Sequence, residues 1–300
     1  MKFEFNFGYC RKVLIFPILI IIINYKINLD NSKLFEKYTL NNNVEVPGLL
    51  AIAPITLLGS NPDGTISQEE RDYLKERAKN TGLYILGATA VSQDGIAFQN
   101  QPRAFSEKDL PSLEERAKII KSQGALAINQ IHHGGGLGVK TYSGLDPLAP
   151  SEEIANKELE KRGMKSKDNK IKELSDNDIK RIINDFAKAT ELSIKSGYDG
   201  VEIHGANNYL IQQFYSPYTN RRNDEWGGSD EKRMNFPLKV IDAVCKVKDD
   251  LKKPDFIIGY RLSPEEPFPG GLTMTETLKL VRTIVKKPLQ YIHISQRNFF

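Results

Sequence analysis

The feature that most constrains this chain is a repeated alternation between short apolar runs and longer amphipathic segments. The apolar runs are Gly48–Thr56 (GLLAIAPIT), Leu83–Val91 (LYILGATAV), Ala125–Ile131 (ALAINQI), Gly200–His204 (GVEIH), Phe256–Arg261 (FIIGYR) and Tyr291–Ser295 (YIHIS). Helical patterns lie between them over Ser67–Asn80, Leu110–Gln123, Ser175–Ser196, Ser229–Leu251 and Thr273–Val285. Their starts and stops carry the expected chemistry. Ser67 with Glu70 forms a capping-box pattern, Pro111 sits in a first turn, Gly82 and Gly124 follow helix ends, and Pro237 bends or delimits its segment. Strand–helix–strand order implies parallel strands joined by crossover helices, and uninterrupted apolar strands imply a sheet covered on both faces. Six strands are read. A doubly wound open sheet accommodates six; an eight-stranded β/α barrel requires two more, and periodicity does not choose between them.

Composition narrows the class. The 300 residues are 40% hydrophobic and 27% charged, with a net charge of +4. These are values of a globular enzyme with a sizeable core, and they argue against disorder or a nucleic-acid partner. Two cysteines, Cys10 and Cys245, have no metal spacing around them, which points to a reducing, cytoplasmic setting without a disulfide framework. Residues 1–31 differ from the rest: Arg11 and Lys12 precede the apolar run Val13–Ile23, which has about half the roughly 20 residues a membrane span needs and no small-residue cleavage site after it. They are read as a non-matching extension, with an anchor and an extra strand as the competing readings, and the functional domain is expected over residues 32–300.

Polar residues gather where parallel α/β folds do chemistry, at the C-terminal ends of strands. Thr56 ends the first run and Thr89 lies in the second. Gln130, His132 and His133 end the third, and His204, then Asn207 and Tyr209, follow the fourth. Arg261 ends the fifth, and His293 and Ser295 lie on the sixth. Each has an ordinary reading by itself: a cap, a loop pair for His132-His133, a salt-bridge partner for Arg261. A metal site lacks a third ligand at recognisable spacing. No Gly-x-Gly-x-x-Gly follows a strand, and His132-His133-Gly134-Gly135-Gly136 lacks the Lys-Ser/Thr of a P-loop. Residues 132–174 form the longest connection, with a densely charged Glu152–Lys172 read as a solvated excursion.

At residues 201–233, VEIHGANNYLIQQFYSPYTNRRNDEWGGSDEKR resembles the signature of the old yellow enzyme family of FMN-dependent ene-reductases. The pattern is met by His204, Ala206, Asn207, Tyr209, Gln213, Phe214, Ser216, Pro217, Asn220, Arg222, Asp224, Trp226, Gly227, Gly228, Ser229 and Arg233. Further segments agree in order: LAIAPIT at 50–56, GLYILGATAVSQDG at 82–95, INQIHHGG at 128–135, IIGYRLSPEE at 257–266 and YIHIS at 291–295. Gly136 stands where many members have arginine. The resemblance implies a (β/α)8 TIM-type barrel with about six of its eight strands present. The Gly-rich and Gly-Arg segments that bind the FMN phosphate in the family have no counterpart, so the chain is expected to be incomplete at its C-terminus. An inactive family member that cannot retain FMN is the alternative function.

The activity so implied is reduction of the C=C bond of α,β-unsaturated carbonyl compounds: NADH or NADPH reduces FMN, hydride leaves flavin N5 for the alkene, and Tyr209 supplies the proton. His204 and Asn207 match the pair of donors to the substrate carbonyl oxygen. Spacing in a helical turn puts those two on one face and turns Tyr209 away. For the cofactor, Ala53, Pro54, Ile55 and Thr56 match the strand end beside the ring, Ala88 a small residue at its edge, Gln130 a pyrimidine-edge partner and Arg261 a cation near N1 and O2. Gly227-Gly228-Ser229 reads as a turn and helix cap. A larger cousin with an iron–sulfur cluster and a metal-dependent barrel hydrolase are the remoter readings. The expected partner is a small-molecule enone, with no nucleic acid and no membrane, and a homo-oligomer is compatible with the family.

Overall fold

A computed structural model describes residues 31–161 and 170–296. The apolar run at 13–23, its extension reading and part of the charged 152–172 segment lie outside the described residues. The core is one parallel sheet of six strands: β1 (Ala51–Ile52), β2 (Leu83–Ala90), β3 (Leu126–His132), β4 (Gly200–Gly205), β5 (Ile257–Leu262) and β6 (Tyr291–Ile294). Each strand pairs with the next one of this series, in unbroken order β1 to β6. That order decides between the two architectures. A doubly wound sheet reverses direction at a switch point, whereas a β/α barrel adds every strand on the same side. The sheet curls as a half-barrel.

Five helices cross between the strands: α1 (Gln68–Leu74), α2 (Leu110–Lys121), α3 (Asp176–Lys195), α4 (Asn235–Asp250) and α5 (Met274–Ile284). Ser67 accepts the Glu70 backbone N–H as read, and Ser175 and Asp178 form a reciprocal capping box. Pro237 lies in the first turn of α4, where a missing N–H costs nothing, and the expected long helix is divided at Met234 into Asp230–Arg233 and α4. The first apolar run pairs over two residues only, because the chain leaves the sheet at Ala53. The charged excursion is partly built: Glu152–Lys161 is helical, and Lys172–Glu173 pairs in parallel with Leu148–Ala149. Among the described residues, no helix is long and apolar enough to cross a membrane.

Alternation sorts the strand residues onto two faces. Tyr84, Leu86, Ala127, Ile131, Val201, Ile203, Ile258 and Tyr260 pack against the helices in the large core. The opposite, inner face begins at the N-terminal end of the sheet with a smaller apolar cluster of Val46, Leu83, Ile85, Ile128 and Ile257. Above that plug, the inner face turns polar.

Candidate active site

The register defines the polar layers. Gln130 lies opposite Glu202, and one step further His204 lies opposite Arg261, which lies opposite His293. With a period of two, Gln130 and His132, Glu202 and His204, Arg261, and His293 all point inward. All are buried. Glu202 joins the two layers: its Oε1 accepts from Gln130 Nε2 at 2.6 Å in the lower one, and its Oε2 lies 3.0 Å from His293 Nδ1 of the upper one. Gly259 lies at the same level and leaves the space that the Tyr291 ring fills, since a Cβ there would come 2.1 Å from it.

β2 carries a bulge between Leu86 and Thr89, with Ala88 at φ +25°. The bulge aims the Ala88 N–H at Gln130 Oε1, 3.4 Å away, and its carbonyl at Gln101 Nε2, 2.9 Å away. Gly87 lets the segment after β1 lie on the strand, because a Cβ would come 2.1 Å from the Ile55 carbonyl oxygen. Ala53, Pro54 and Thr56 are half-buried along this lip, and Ile55 is exposed. No hydrogen bond among the described residues ties the Thr56 side chain to the others. Thr89 is a different case: its hydroxyl donates to Asn129 Oδ1 at 2.6 Å, and Asn129 donates to Ser193 of α3, so it belongs to the helix side.

At the top of β4 the chain turns sharply. Asn207 and Asn208 both occupy the left-handed region, at φ +58° and +62°, a conformation asparagine tolerates better than most residues. His204 and Asn207 therefore do not share a helical turn. His204 lies in the strand, one residue before its end, and Asn207 belongs to the turn that follows. The Asn207 N–H donates to Ser263 Oγ at 2.9 Å, and its Oδ1 accepts from Ser295 Oγ at 2.8 Å. With Oδ1 engaged in this way, Nδ2 is the group available to donate. Tyr209 is the extended N-cap of the short helix Leu210–Tyr215. Helical spacing turned it away from His204, but because residues 204–209 are not helical, its ring returns to 5.1 Å from that of His204, edge to face.

His132 completes the group. It ends β3 and is fully buried, as is His133 beside it, so the two are not an ordinary loop pair. The His132 ring lies 4.4 Å from that of Tyr209, 5.2 Å from that of His204 and 5.7 Å from that of Phe98. His133 takes the other direction: its Nδ1 accepts the Gly135 N–H, and its Nε2 reaches Asp94, which also binds Ser92 and Arg181.

Burial keeps the His204 and His132 imidazoles neutral. Burial, then the neighbouring His132, holds the His204 imidazole well below its ordinary value. Burial, then His133, pushes His132 down to about 3. The backbone N–H of Ala206 donates to His204 Nδ1 at 3.3 Å, so the proton of this neutral ring sits on Nε2. Burial raises the Tyr209 phenol above its ordinary value while Arg261 opposes it, so Tyr209 stays protonated at neutral pH. Burial also lowers Arg261, whose Nε is buried without a hydrogen-bond partner among the described residues. No described residue forms an ion pair with it.

The structure thus brings together Tyr209, His204, Asn207 and Arg261, and joins Ala88 to Gln130. Sequence reasoning missed Glu202, Gln101 and Phe98. Alternation from His204 would have found Glu202; Phe98 and Gln101 come from a loop after β2 and carry no local signal. Two neutral donors of fixed orientation beside a phenol suit an oxygen that gains negative charge next to a carbon that gains a proton.

Comparison with known proteins bears on the family and the fold. A chain of 266 aligned residues is 45% identical to the probable NADH-dependent flavin oxidoreductase YqiG of Bacillus subtilis (strain 168), covering 87% of this chain and 68% of that protein. The NADH:fumarate oxidoreductase of Klebsiella pneumoniae (strain 342) is 36% identical over 267 residues, covering 89% of this chain but 28% of its own length. In fold, the old yellow enzyme homologue from Zymomonas mobilis superposes with a TM-score of 0.75 at 24% identity, over 88% of this chain and 73% of that one. This identifies the six strands as those of a partial (β/α)8 barrel. The profile of the NADH:flavin oxidoreductase / NADH oxidase family matches residues 33–298, and the chain belongs to that family of flavin- and nicotinamide-linked oxidoreductases.

Proposed function

We propose that residues 32–300 form an FMN-binding barrel domain that reduces the C=C bond of α,β-unsaturated carbonyl compounds with NADH or NADPH as donor. The observation that carries the reading is the trio at the end of β4. His204 Nε2–H and Asn207 Nδ2 are neutral donors whose orientations are set by Ala206 and Ser295, and the Tyr209 ring stands against His204. Fumarate, named for the Klebsiella relative, is itself an alkene conjugated to carboxylates.

The residues at the open end of the curl fit a flavin. Ala53, Pro54 and Ile55 offer an apolar lip for a flat ring, and Thr56 a hydroxyl at its end. Ala88 would meet the ring edge with its backbone, Gln130 would serve the polar pyrimidine edge, and the buried, unpartnered Nε of Arg261 is a donor suited to an electron-rich ring atom. When bound, FMN supplies the hydride, received from the nicotinamide and passed to the β-carbon of the alkene. His204 and Asn207 bind the carbonyl oxygen and stabilise the negative charge it acquires. Tyr209 gives its phenolic proton to the α-carbon, and solvent restores it. Arg261 offsets negative charge in the same site.

The test is titration of the purified chain with FMN, followed by anaerobic turnover of 2-cyclohexenone with NADH and NADPH in turn. Tight FMN binding with enone-dependent oxidation of the nicotinamide is the expected result. A chain that takes up no FMN is the inactive family member of the alternative reading. One that binds FMN but passes electrons only to oxygen overturns the alkene assignment.

A further inference from the structure

His132 stands out among the inner-face groups. Gln101 determines which of its nitrogens carries the proton. Gln101 Oε1 accepts the backbone N–H groups of Ala97 and Phe98, at 2.9 and 3.3 Å, which fixes the amide orientation. Gln101 Nε2 is then the donor, to the Ala88 carbonyl at 2.9 Å and to His132 Nδ1 at 3.1 Å. An imidazole receiving a proton at Nδ1 and kept neutral by burial carries its own proton on Nε2. That Nε2–H is buried and has no oxygen or nitrogen partner among the described residues. A buried N–H without a partner is costly. The imidazole itself is packed among aromatic rings, centroid to centroid: Tyr209 at 4.4 Å and 82°, His204 at 5.2 Å and 62° and Phe98 at 5.7 Å. Ring faces accept N–H groups weakly, and near-perpendicular contacts at this spacing are attractive.

We propose that His132 is a positioning residue for Tyr209: a neutral imidazole, its proton placed on Nε2 by Gln101, that holds the phenol ring edge to face against His204. The chain of influence runs from the Ala97–Phe98 backbone through Gln101 and His132 to Tyr209. It links the loop after β2 to the turn after β4, two elements that no strand pairing connects. The proposal rests on Tyr209 acting as proton donor only for its kinetic consequence; the proton placement on His132 is a property of the chain alone. Phenylalanine keeps the ring of His132 and removes its N–H.

Two measurements test it. In the full chain with ¹⁵N-labelled histidine, the resonances of His132, assigned by loss in His132→Phe, should show a protonated Nε2 and an unprotonated Nδ1 at neutral pH. Gln101→Leu should relax this toward a mixture of tautomers. A proton on Nδ1 in the wild type, or no change in Gln101→Leu, overturns the proposal, and this holds whether or not FMN binds. In stopped-flow on the FMN-loaded chain, His132→Phe should slow reoxidation by 2-cyclohexenone about three- to tenfold, the worth of an aromatic contact, while flavin reduction by NADH keeps its rate. KM for the enone should change less than kcat. Equal slowing of both half-reactions would show a merely structural role and would sink the positioning role. Absence of FMN uptake by the wild type would instead count against the proposed function.

Discussion

On the helix side of β4, Val201 and Ile203 are buried among apolar side chains; on the inner side of the same strand, Glu202 and His204 are equally buried among polar ones. The two faces differ in how they meet the cost of burial. The outer layer removes apolar area from water, and its buried ion pair is bidentate: Arg116 binds both oxygens of Glu70 at 2.7 and 2.8 Å, while Arg116 Nη1 and the Tyr198 hydroxyl stay without hydrogen-bond partners among the described residues. The inner layer leaves Arg261 Nε and His132 Nε2, toward the C-terminal ends of β5 and β3, without hydrogen-bond partners among the described residues. A face built mainly of apolar area and one bidentate ion pair serves stability. A face that leaves donors open toward one end of a curled sheet serves binding.

Substitutions on the two faces should therefore separate function from stability. The largest expected effect is on the inner side: Tyr209→Phe should lower enone reduction by about 10²- to 10⁴-fold, the usual worth of a positioned acid. Its unfolding midpoint in urea should stay near that of the wild type. The mirror experiment is Arg116→Leu on the outer side. Leaving Glu70 buried and unpaired should cost about 3–5 kcal/mol of unfolding free energy, while turnover per folded molecule holds. Activity lost in proportion to stability in both variants would erase the distinction.

A change of pH probes the same contrast. His132 has an ordinary value of 6.5 and a folded value of about 3, so the folded state resists a proton that the unfolded state accepts. Its contribution is complete above pH 6.5 and is lost progressively as pH falls toward 3. Between pH 7 and 5 the wild type should lose about 2 kcal/mol more than His132→Phe, as read by urea unfolding at each pH. The smallest expected effect lies on the helix side. Thr89→Val strands Asn129 Oδ1 and should cost about 1 kcal/mol with kcat unchanged; a marked fall in kcat would place Thr89 in the site after all.

Much of this was legible in the residues. The six apolar runs became the six strands, and the helix between Ser175 and Ser196 ends within one residue of its reading, because its capping box and its Ile179–Ile182–Phe186 stripe are local signals. The first run was the poorest: GLLAIAPIT is apolar throughout, but two residues pair, since the rest turns out to form the lip of the site. At the end of β4 the backbone departs from the helical spacing that the residues suggest. His204, Asn207 and Tyr209 were read on a helical turn, whereas Asn207 and Asn208 adopt left-handed backbone and bring Tyr209 back over the histidine.

By itself, the sequence determined the alternation of strand and helix, the polarity of the strand ends and the family to which the chain belongs. These depend on spacing and residue type along the chain, which are local quantities. Only the tertiary structure decided the strand order that makes the sheet a curled barrel segment, the joining of Gln130 to Glu202 and His293, and the tautomer of His132. Each of these depends on which atoms from distant segments meet: Gln101 and His132 are 31 positions apart, and Glu202 and His293 are 91. A hydrogen-bond donor becomes specific when its acceptor is in place, and folding puts it there.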